Sequence, residues 1–439
     1  MPFYKRSRFK DSGFRRVLPL FLIIFSAALV FLILTRKGSI YDFSFRADEE
    51  EEEESFSFSS SLLGSDTQTL LKFGDFRPKL PKMNGIAISL EQRNRLPPRN
   101  IDLFPNLGKN HVKIVLYVHN RPQYLQVVVK SLANVEGIGE TMLIVSHDGF
   151  FSEMDAIVKG IRFSQVKQIF SPYSPHLYPD TFPGVSNGDC HDKDDPSTSN
   201  CSGDADQYGN HRSPKIVSLK HHWWWMMNTV WDGLPETRRH SGHILFVEED
   251  HFLYPNAYRN IQLLVNLKPK KCPDCFAVNL APSDVKSKGE GWGSMIAEKM
   301  GNVGYAFNRT VWRRIHEKSK EFCWFDDYNW DITMWATVYP SFLTPVYTLR
   351  GPRASAVHFG KCGLHQGQDK ISPCFDNGEP KIELDETDMV PNIKTDWPVY
   401  VYKKQQGYRA GFKGWGGWGD HRDRELCLIF AYMYHSMRV

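Results

Sequence analysis

The chain reads as an α/β protein: one large folded domain on a largely parallel sheet, carried behind an N-terminal transmembrane helix and a stem. Three observations carry that reading. Apolar, β-rich runs alternate with helical stretches from Val112 onward. The run Val17–Leu34 is long enough to cross a bilayer. Between them lies an acidic, turn-rich stretch with the composition of a spacer.

The apolar run sits at the short end of the membrane-spanning range, which suits a thin early-secretory bilayer. Lys5, Arg6, Arg8, Lys10, Arg15 and Arg16 precede it, and only Arg36 and Lys37 follow closely. The positive-inside rule puts residues 1–16 in the cytosol, makes residues 17–34 the anchor, and sends the rest into the lumen. A cleavable signal peptide is the competing reading, but Thr35-Arg36-Lys37 lacks a small-residue cleavage site. Residues 35–110 read as a lumenal stem, because the block Asp48–Glu54 repels itself and stays extended. Calcium binding is the other use of such acids. A net charge of +4, with no basic tract interleaved with aromatics, argues against nucleic acid as a partner.

Residues 111–439 carry the alternation. Val112–Val118 is a strand, followed by a helix with Pro122 in its first turn. Thr141–Ser146 is the next strand, Ser152-Glu153 opens a short helix, and Val166–Phe170 is the third strand. A helix runs from about Lys215 to Trp231, and Ile244–Val247 forms a strand entering Glu248-Glu249-Asp250. Pro255 starts another helix and Phe276–Leu280 a further strand. Parallel sheets bind ligands beyond the carboxyl ends of their strands, so those ends are where chemistry is sought.

All 8 cysteines follow the anchor, and an even lumenal count favours disulfides. Cys190 and Cys201 bracket a polar loop, Cys272 and Cys275 form a CxxC, and Cys362 and Cys374 bracket another loop. Cys323 and Cys427 are left to pair. Zinc is the alternative, weakened by the lack of a second CxxC. Asn200-Cys201-Ser202 and Asn308-Arg309-Thr310 are glycosylation sequons.

Three carboxylates in a row, Glu248-Glu249-Asp250, are costly at the end of a buried strand unless a cation sits there, and oxygen donors suit Mg²⁺ or Mn²⁺. The alternative is a solvated turn. A second cluster, Asp326-Asp327-Tyr328-Asn329-Trp330-Asp331, opens an expected helix from Asp326 to Val338. There Asp327 and Asp331 share a face at i,i+4. Apolar walls can raise a carboxylate into the range of a general base, whereas helix capping explains one of these acids equally well. His358, alone in an apolar run, reads as structural on its own. The run His221-His222-Trp223-Trp224-Trp225 reads as core packing. Gly414–Asp420 reads as a mobile loop carrying Trp415 and Trp418, a lid or sugar platform.

Six segments taken together carry a resemblance: Val118-His119-Asn120-Arg121-Pro122, Ser146-His147-Asp148, Lys220–Trp225, Glu248-Glu249-Asp250-His251, Asp326–Asp331 and His358-Phe359-Gly360-Lys361-Cys362-Gly363. In order and spacing the chain resembles the N-acetylglucosaminyltransferase II family, from about Pro98 to near the C-terminus. The resemblance implies a GT-A, Rossmann-like glycosyltransferase fold. It implies Asp250 and His358 as ligands of Mn²⁺, the cluster departing from strict DxD in its first residue. Arg121 and Asp148 are implied at the uridine, Arg212 and Lys215 on the UDP side, and Asp331 as the catalytic base. Glu249 and Trp330 join the substrate-binding set, and His222, Trp224 and Trp418 are further candidates for reading the acceptor. The cysteine pairing agrees with the family pattern.

The implied reaction is an inverting transfer from UDP-GlcNAc to the mannose O2 on the α1,6 arm of N-glycans, giving a β1,2 linkage, at the Golgi membrane. Two readings from other classes fit the residues taken alone. One is a lectin-like protein using the Trp-rich segments; the other is a glycosidase using Asp327 and Asp331.

Overall fold

A computed structural model describes residues 80–283, 293–342, 344–360, 375–376, 379–380, 392–402 and 412–434. The expected anchor at Val17–Leu34, most of the stem, Cys362 and Cys374 lie outside the described residues. Among those described, no helix is long and apolar enough to cross a membrane.

The chain forms α1 (Gly85–Asn94), β1 (Lys113–Val118), α2 (Pro122–Ala133), β2 (Met142–His147), α3 (Ser152–Lys159) and β3 (Gln165–Phe170). There follow α4 (Pro214–Asn228), β4 (Ile244–Glu248), β5 (His251–Leu253), α5 (Ala257–Lys271), β6 (Ala277–Asn279), β7 (Met295–Lys299) and β8 (Tyr305–Phe307). The chain continues through α6 (Arg309–His316), α7 (Ser319–Trp324), α8 (Trp330–Thr333), β9 (Tyr347–Arg350), β10 (Ala356–His358), β11 (Val399–Val401) and α9 (His421–Tyr432).

Nine strands make one sheet in the order β11-β7-β9-β6-β8-β4-β1-β2-β3. The half from β3 to β4 is parallel, as the alternation of strands and helices requires. β8 then runs antiparallel to both β4 and β6, and β7 antiparallel to β9, so the whole is a mixed α/β sheet. Every residue of β1 is buried because both faces are covered. Val115 and Tyr117 face the layer built from α4, α6, α7 and α9, while Ile114, Leu116 and Val118 face the layer of α2, α3 and α5.

The folded domain begins earlier than expected, so the stem cannot reach Asn110. Leu80 is core, α1 packs on β3, and Asn94 exchanges hydrogen bonds with the main chain of Phe170 at 2.9 and 2.7 Å. Arg99 pairs with Val166 in an antiparallel bridge. β3 is an edge strand with unpaired main-chain groups, and this segment caps part of it. The apolar content of residues 80–110 is sparse and without period, so its pattern resembles that of the spacer.

Candidate active site

β4 ends at Glu248 between β1 and β8, where a tight turn reverses the chain. The Glu248 amide donates to His251 Nδ1 at 3.1 Å. β5 then pairs antiparallel with β10, setting His358 opposite His251. The Phe359 amide donates to the Asp250 carbonyl at 3.0 Å. His358 Nε2 thereby comes within 3.4 Å of Asp250 Oδ2. Two residues more than a hundred positions apart are brought together by one short ladder.

Two observations test whether a divalent cation fits. Asp250 Oδ1 is buried without a hydrogen-bond partner. Gly360 lets its main chain pack closely against the carboxylate: a Cβ there would lie 2.3 Å from Asp250 Oδ2. A buried carboxylate with one unpartnered oxygen, beside an imidazole, fits a divalent cation. Glu248, Asp250 and His251 also place one ligand atom each within 4.8 Å of one another. His251 Nδ1 accepts from the Glu248 amide, and its Nε2 is buried without a partner.

The acidic cluster is not compensated by a cation alone. Arg121, just before α2, places Nε 2.5 Å from Glu249 Oε1 and Nη1 2.9 Å from Asp250 Oδ2. Glu249 Oε2 accepts from the His119 amide at 2.8 Å. Glu249 and Arg121 thus brace the turn, beside the candidate cation site. Burial opposes ionisation of Asp250, but Arg121 and His358 hold its pKa well below the usual carboxylate range. Glu248 fares differently: burial, then repulsion from Asp250, pushes it up to about 8.

Asp148, one residue past β2, sits against β1 through its amide, which donates to the Val118 carbonyl at 3.0 Å. Its Oδ2 accepts from His119 Nδ1 at 3.0 Å and lies 3.5 Å from His176 Nε2. Burial works against its charge, yet the hydrogen bonds from His119 and His176 keep it well below the ordinary value. Its Oδ1 is buried and unpartnered. Lys215, exposed on the first turn of α4, is close enough for its charge to act on His176. Arg212 is elsewhere engaged. It is buried, with Nε and Nη2 each 2.8 Å from the Asp423 carboxylate and further bonds to the Gly184 and Pro183 carbonyls. Its side chain pins α9 and the Pro183-Gly184 loop to the start of α4.

The expected helix from Asp326 to Val338 starts late, at Trp330: Trp330–Thr333 is α-helical and Met334–Val338 continues it as a π-helix, so only the first turn is missing. Asp327 instead sits in extended chain bridged to Gly416, and its carboxylate accepts from the Asn329 amide at 2.8 Å and the Trp415 amide at 2.7 Å. The i,i+4 pairing of Asp327 with Asp331 is thus lost: buried Lys220 binds the Phe325 and Asp327 carbonyls, which a helix would need for itself. Asp331 stands apart, half-buried, with Oδ1 accepting from the Ile332 amide at 2.8 Å and Oδ2 from Asn302 Nδ2 at 3.1 Å. Burial, with Asp327 adding repulsion, pushes it up to about 6. Its charge is felt by Glu248, which places it beside the acidic turn.

Trp330 is half-buried with one face stacked on Trp223, centroids 4.6 Å apart. The glycine-rich loop is pinned rather than mobile. Besides Asp327, Asp206 accepts from the Gly417 amide at 2.6 Å and Asp326 from the Trp418 amide at 3.1 Å. Gly416, at φ +80°, has no room for a Cβ beside Asp206. Trp418, Trp224 and His222 are buried and present no face to an acceptor, whereas Trp415 is exposed. Asn200 is exposed in the left-handed region; Asn308 is half-buried and caps α6, accepting from the Val311 amide at 3.3 Å. Disulfides join Cys190–Cys201, Cys272–Cys275 and Cys323–Cys427. Sequence reasoning missed His119, His176 and Asn302 as partners of the acids. The first stood inside a quoted motif; the other two carried no local signal.

Comparison with known proteins shows the family. Residues 88–427 match the family described as N-acetylglucosaminyltransferase II (MGAT2). An alpha-1,6-mannosyl-glycoprotein 2-beta-N-acetylglucosaminyltransferase of Arabidopsis thaliana is 60% identical over 434 residues, covering 98% of this chain and 97% of the relative. The Homo sapiens protein of the same name is 32% identical over 346 residues, 76% of each chain. Among solved structures, TarS of S. aureus aligns with a TM-score of 0.29 at 10% identity over 56% of this chain and 36% of its own. On the family match and the full-length likeness, the chain belongs to the N-acetylglucosaminyltransferase II family of glycosyltransferases.

Proposed function

We propose that this chain transfers GlcNAc from UDP-GlcNAc to O2 of the α1,6-arm mannose of N-glycans, with inversion, in a GT-A-type domain on the lumenal side of the Golgi membrane. The observation that carries the chemistry is Asp331, a half-buried carboxylate pushed up to about 6 beside the acidic turn that ends β4. Such a group is ionised near neutral pH and still basic enough to take a hydroxyl proton. Asp331 removes the proton of the acceptor hydroxyl as that oxygen attacks the anomeric carbon from the face opposite the nucleotide. Asp250 and His358 would hold a divalent cation, which we assign as Mn²⁺. When bound, it supplies counter-charge for the departing diphosphate. Asp148, ionised and with one oxygen unpartnered, is the acceptor for a donor group on the nucleoside. Lys215 stands at that same end.

Inversion needs a single base, and Asp331 fills that role. A retaining glycosidase needs two nearby carboxyl groups, and Asp327 is already committed to the Asn329 and Trp415 amides. The lectin reading loses Trp224 and Trp418 to the core.

The test is transfer from UDP-GlcNAc, with and without chelator, to two acceptors. One is the trimannosyl core bearing GlcNAc on its α1,3 arm; the other is the bare core. Chelator-sensitive transfer to the first alone is the expected result. Transfer to the α1,3 arm of the bare core would reassign the acceptor, and glycan binding without transfer would remove the enzymatic reading.

A further inference from the structure

Asn302 lies in the crossover from β7 to β8. These strands are not neighbours, so residues 300–304 pass the ends of β9 and β6, which stand between them in the sheet. Asn279, the last residue of β6, is buried and holds that crossover in place. Its Nδ2 donates to the Gly301 carbonyl at 3.1 Å and the Val303 carbonyl at 3.4 Å. Its Oδ1 accepts from Thr348 Oγ1 on β9 at 2.7 Å. The hydrogen-bond network thus assigns both ends of the Asn279 amide. Gly304, at φ +60°, closes the crossover and accepts from the Leu280 amide at 2.8 Å. With main chain fixed on both sides, Asn302 Nδ2 meets Asp331 Oδ2 at 3.1 Å.

We propose that Asn302 is a positioning residue for Asp331, fixing the orientation of its carboxylate and favouring its ionised form. This rests on Asp331 being the base. Burial and the charge of Asp327 disfavour ionisation of Asp331, whose own charge raises its other neighbours: Glu248 at the end of β4, Tyr328 from the preceding loop and Tyr339 beyond the π-turn. The donors favouring its ionised form are the Ile332 amide, its own amide and Asn302. The amides belong to the helix and are present whatever the side chain does. Asn302 is the adjustable donor, and Asn279 and Thr348 keep it aimed.

The experiment measures kcat and KM for UDP-GlcNAc against pH on the full-length enzyme, with Asn302→Ala, Asn302→Asp and Asp331→Asn. Asn302→Asp keeps the shape but replaces the donor with an acceptor. A bond to an ionised group lost from Asp331 raises its pKa, so the acid limb of kcat/KM moves up by roughly one pH unit in Asn302→Ala, about tenfold in rate below the limb. It moves further in Asn302→Asp, and KM for UDP-GlcNAc stays within about twofold in both. An unmoved acid limb in both variants, beside an inactive Asp331→Asn, overturns the role of Asn302 alone. A uniform loss of kcat and rise of KM with lowered Tm and no pH shift also overturns it, as a purely structural effect. Transfer retained by Asp331→Asn removes the base itself.

Discussion

Lys220 Nζ, fully buried on α4, donates to the main-chain carbonyl of Asp327 at 2.9 Å. It also donates to the Phe325 carbonyl at 3.0 Å and lies over the Trp418 ring, 4.6 Å from its centroid. One side chain thus ties the catalytic segment and the glycine-rich loop to the core. Lys220→Met, similar in length, removes both of these bonds, leaving the Phe325 carbonyl only the Asp327 amide and the Asp327 carbonyl only Thr333 Oγ1. We expect a loss of about 2–4 kcal/mol in urea-induced unfolding.

Asp331→Asn removes the base while keeping its size. Transfer falls by roughly 10²–10⁴-fold, and UDP affinity measured calorimetrically stays near that of the wild type. In the wild type the active form is the ionised one, so activity is full above about pH 6 and declines as pH falls through that value. A rate that rises on acidification contradicts the assignment.

Gly360→Ala puts a methyl group where only 2.3 Å separates it from Asp250 Oδ2. The carboxylate must turn away from His358. The expected outcome is at least about tenfold weaker Mn²⁺ binding by calorimetry, with the Tm of the metal-free protein little changed. Unaltered Mn²⁺ affinity would place the cation elsewhere.

Asp250→Ala should abolish the Mn²⁺ dependence of UDP binding rather than the binding of UDP to metal-free protein. The comparison is calorimetric titration with UDP in the presence of Mn²⁺ and of chelator, and equal effects of Mn²⁺ on wild type and variant would refute it.

Asp423→Asn leaves Arg212 buried without its counter-charge and costs about 3–5 kcal/mol of stability. Burial opposes the Asp423 charge, but Arg212 and His221 hold its pKa far below the unfolded value. The wild-type contribution is therefore complete above the ordinary carboxylate titration and is lost only as pH falls towards the depressed pKa. UDP affinity of the folded variant should match the wild type; a large loss would return Arg212 to the nucleotide.

Much of the catalytic end of the sheet is legible in the sequence alone. β1, β2 and β4 are mainly apolar runs because both faces of a parallel sheet are covered, whereas β3, at the edge, interrupts its run with Lys167 and Gln168. The acids beyond β2 and β4 stand out because charge is costly there. The helix expected from Asp326 starts only at Trp330, for a physical reason. Its residues suit a helix start, but Lys220, more than a hundred positions away, claims the carbonyls first. Residues 80–110 read as stem because their packing depends on covering an edge strand, which sequence period does not encode.

Local pattern, spacing and resemblance suffice for the order of strands and helices in the parallel half and for the three described disulfide pairs. What each charge is used for emerges only in the folded chain. Folding gives Arg212 to Asp423, Asp327 to main-chain amides and Arg121 to Glu249 and Asp250, and sets Asp331 beside Asn302. A buried polar group takes whichever partner the fold brings within about 3 Å, and that distance is set by residues far away in the chain.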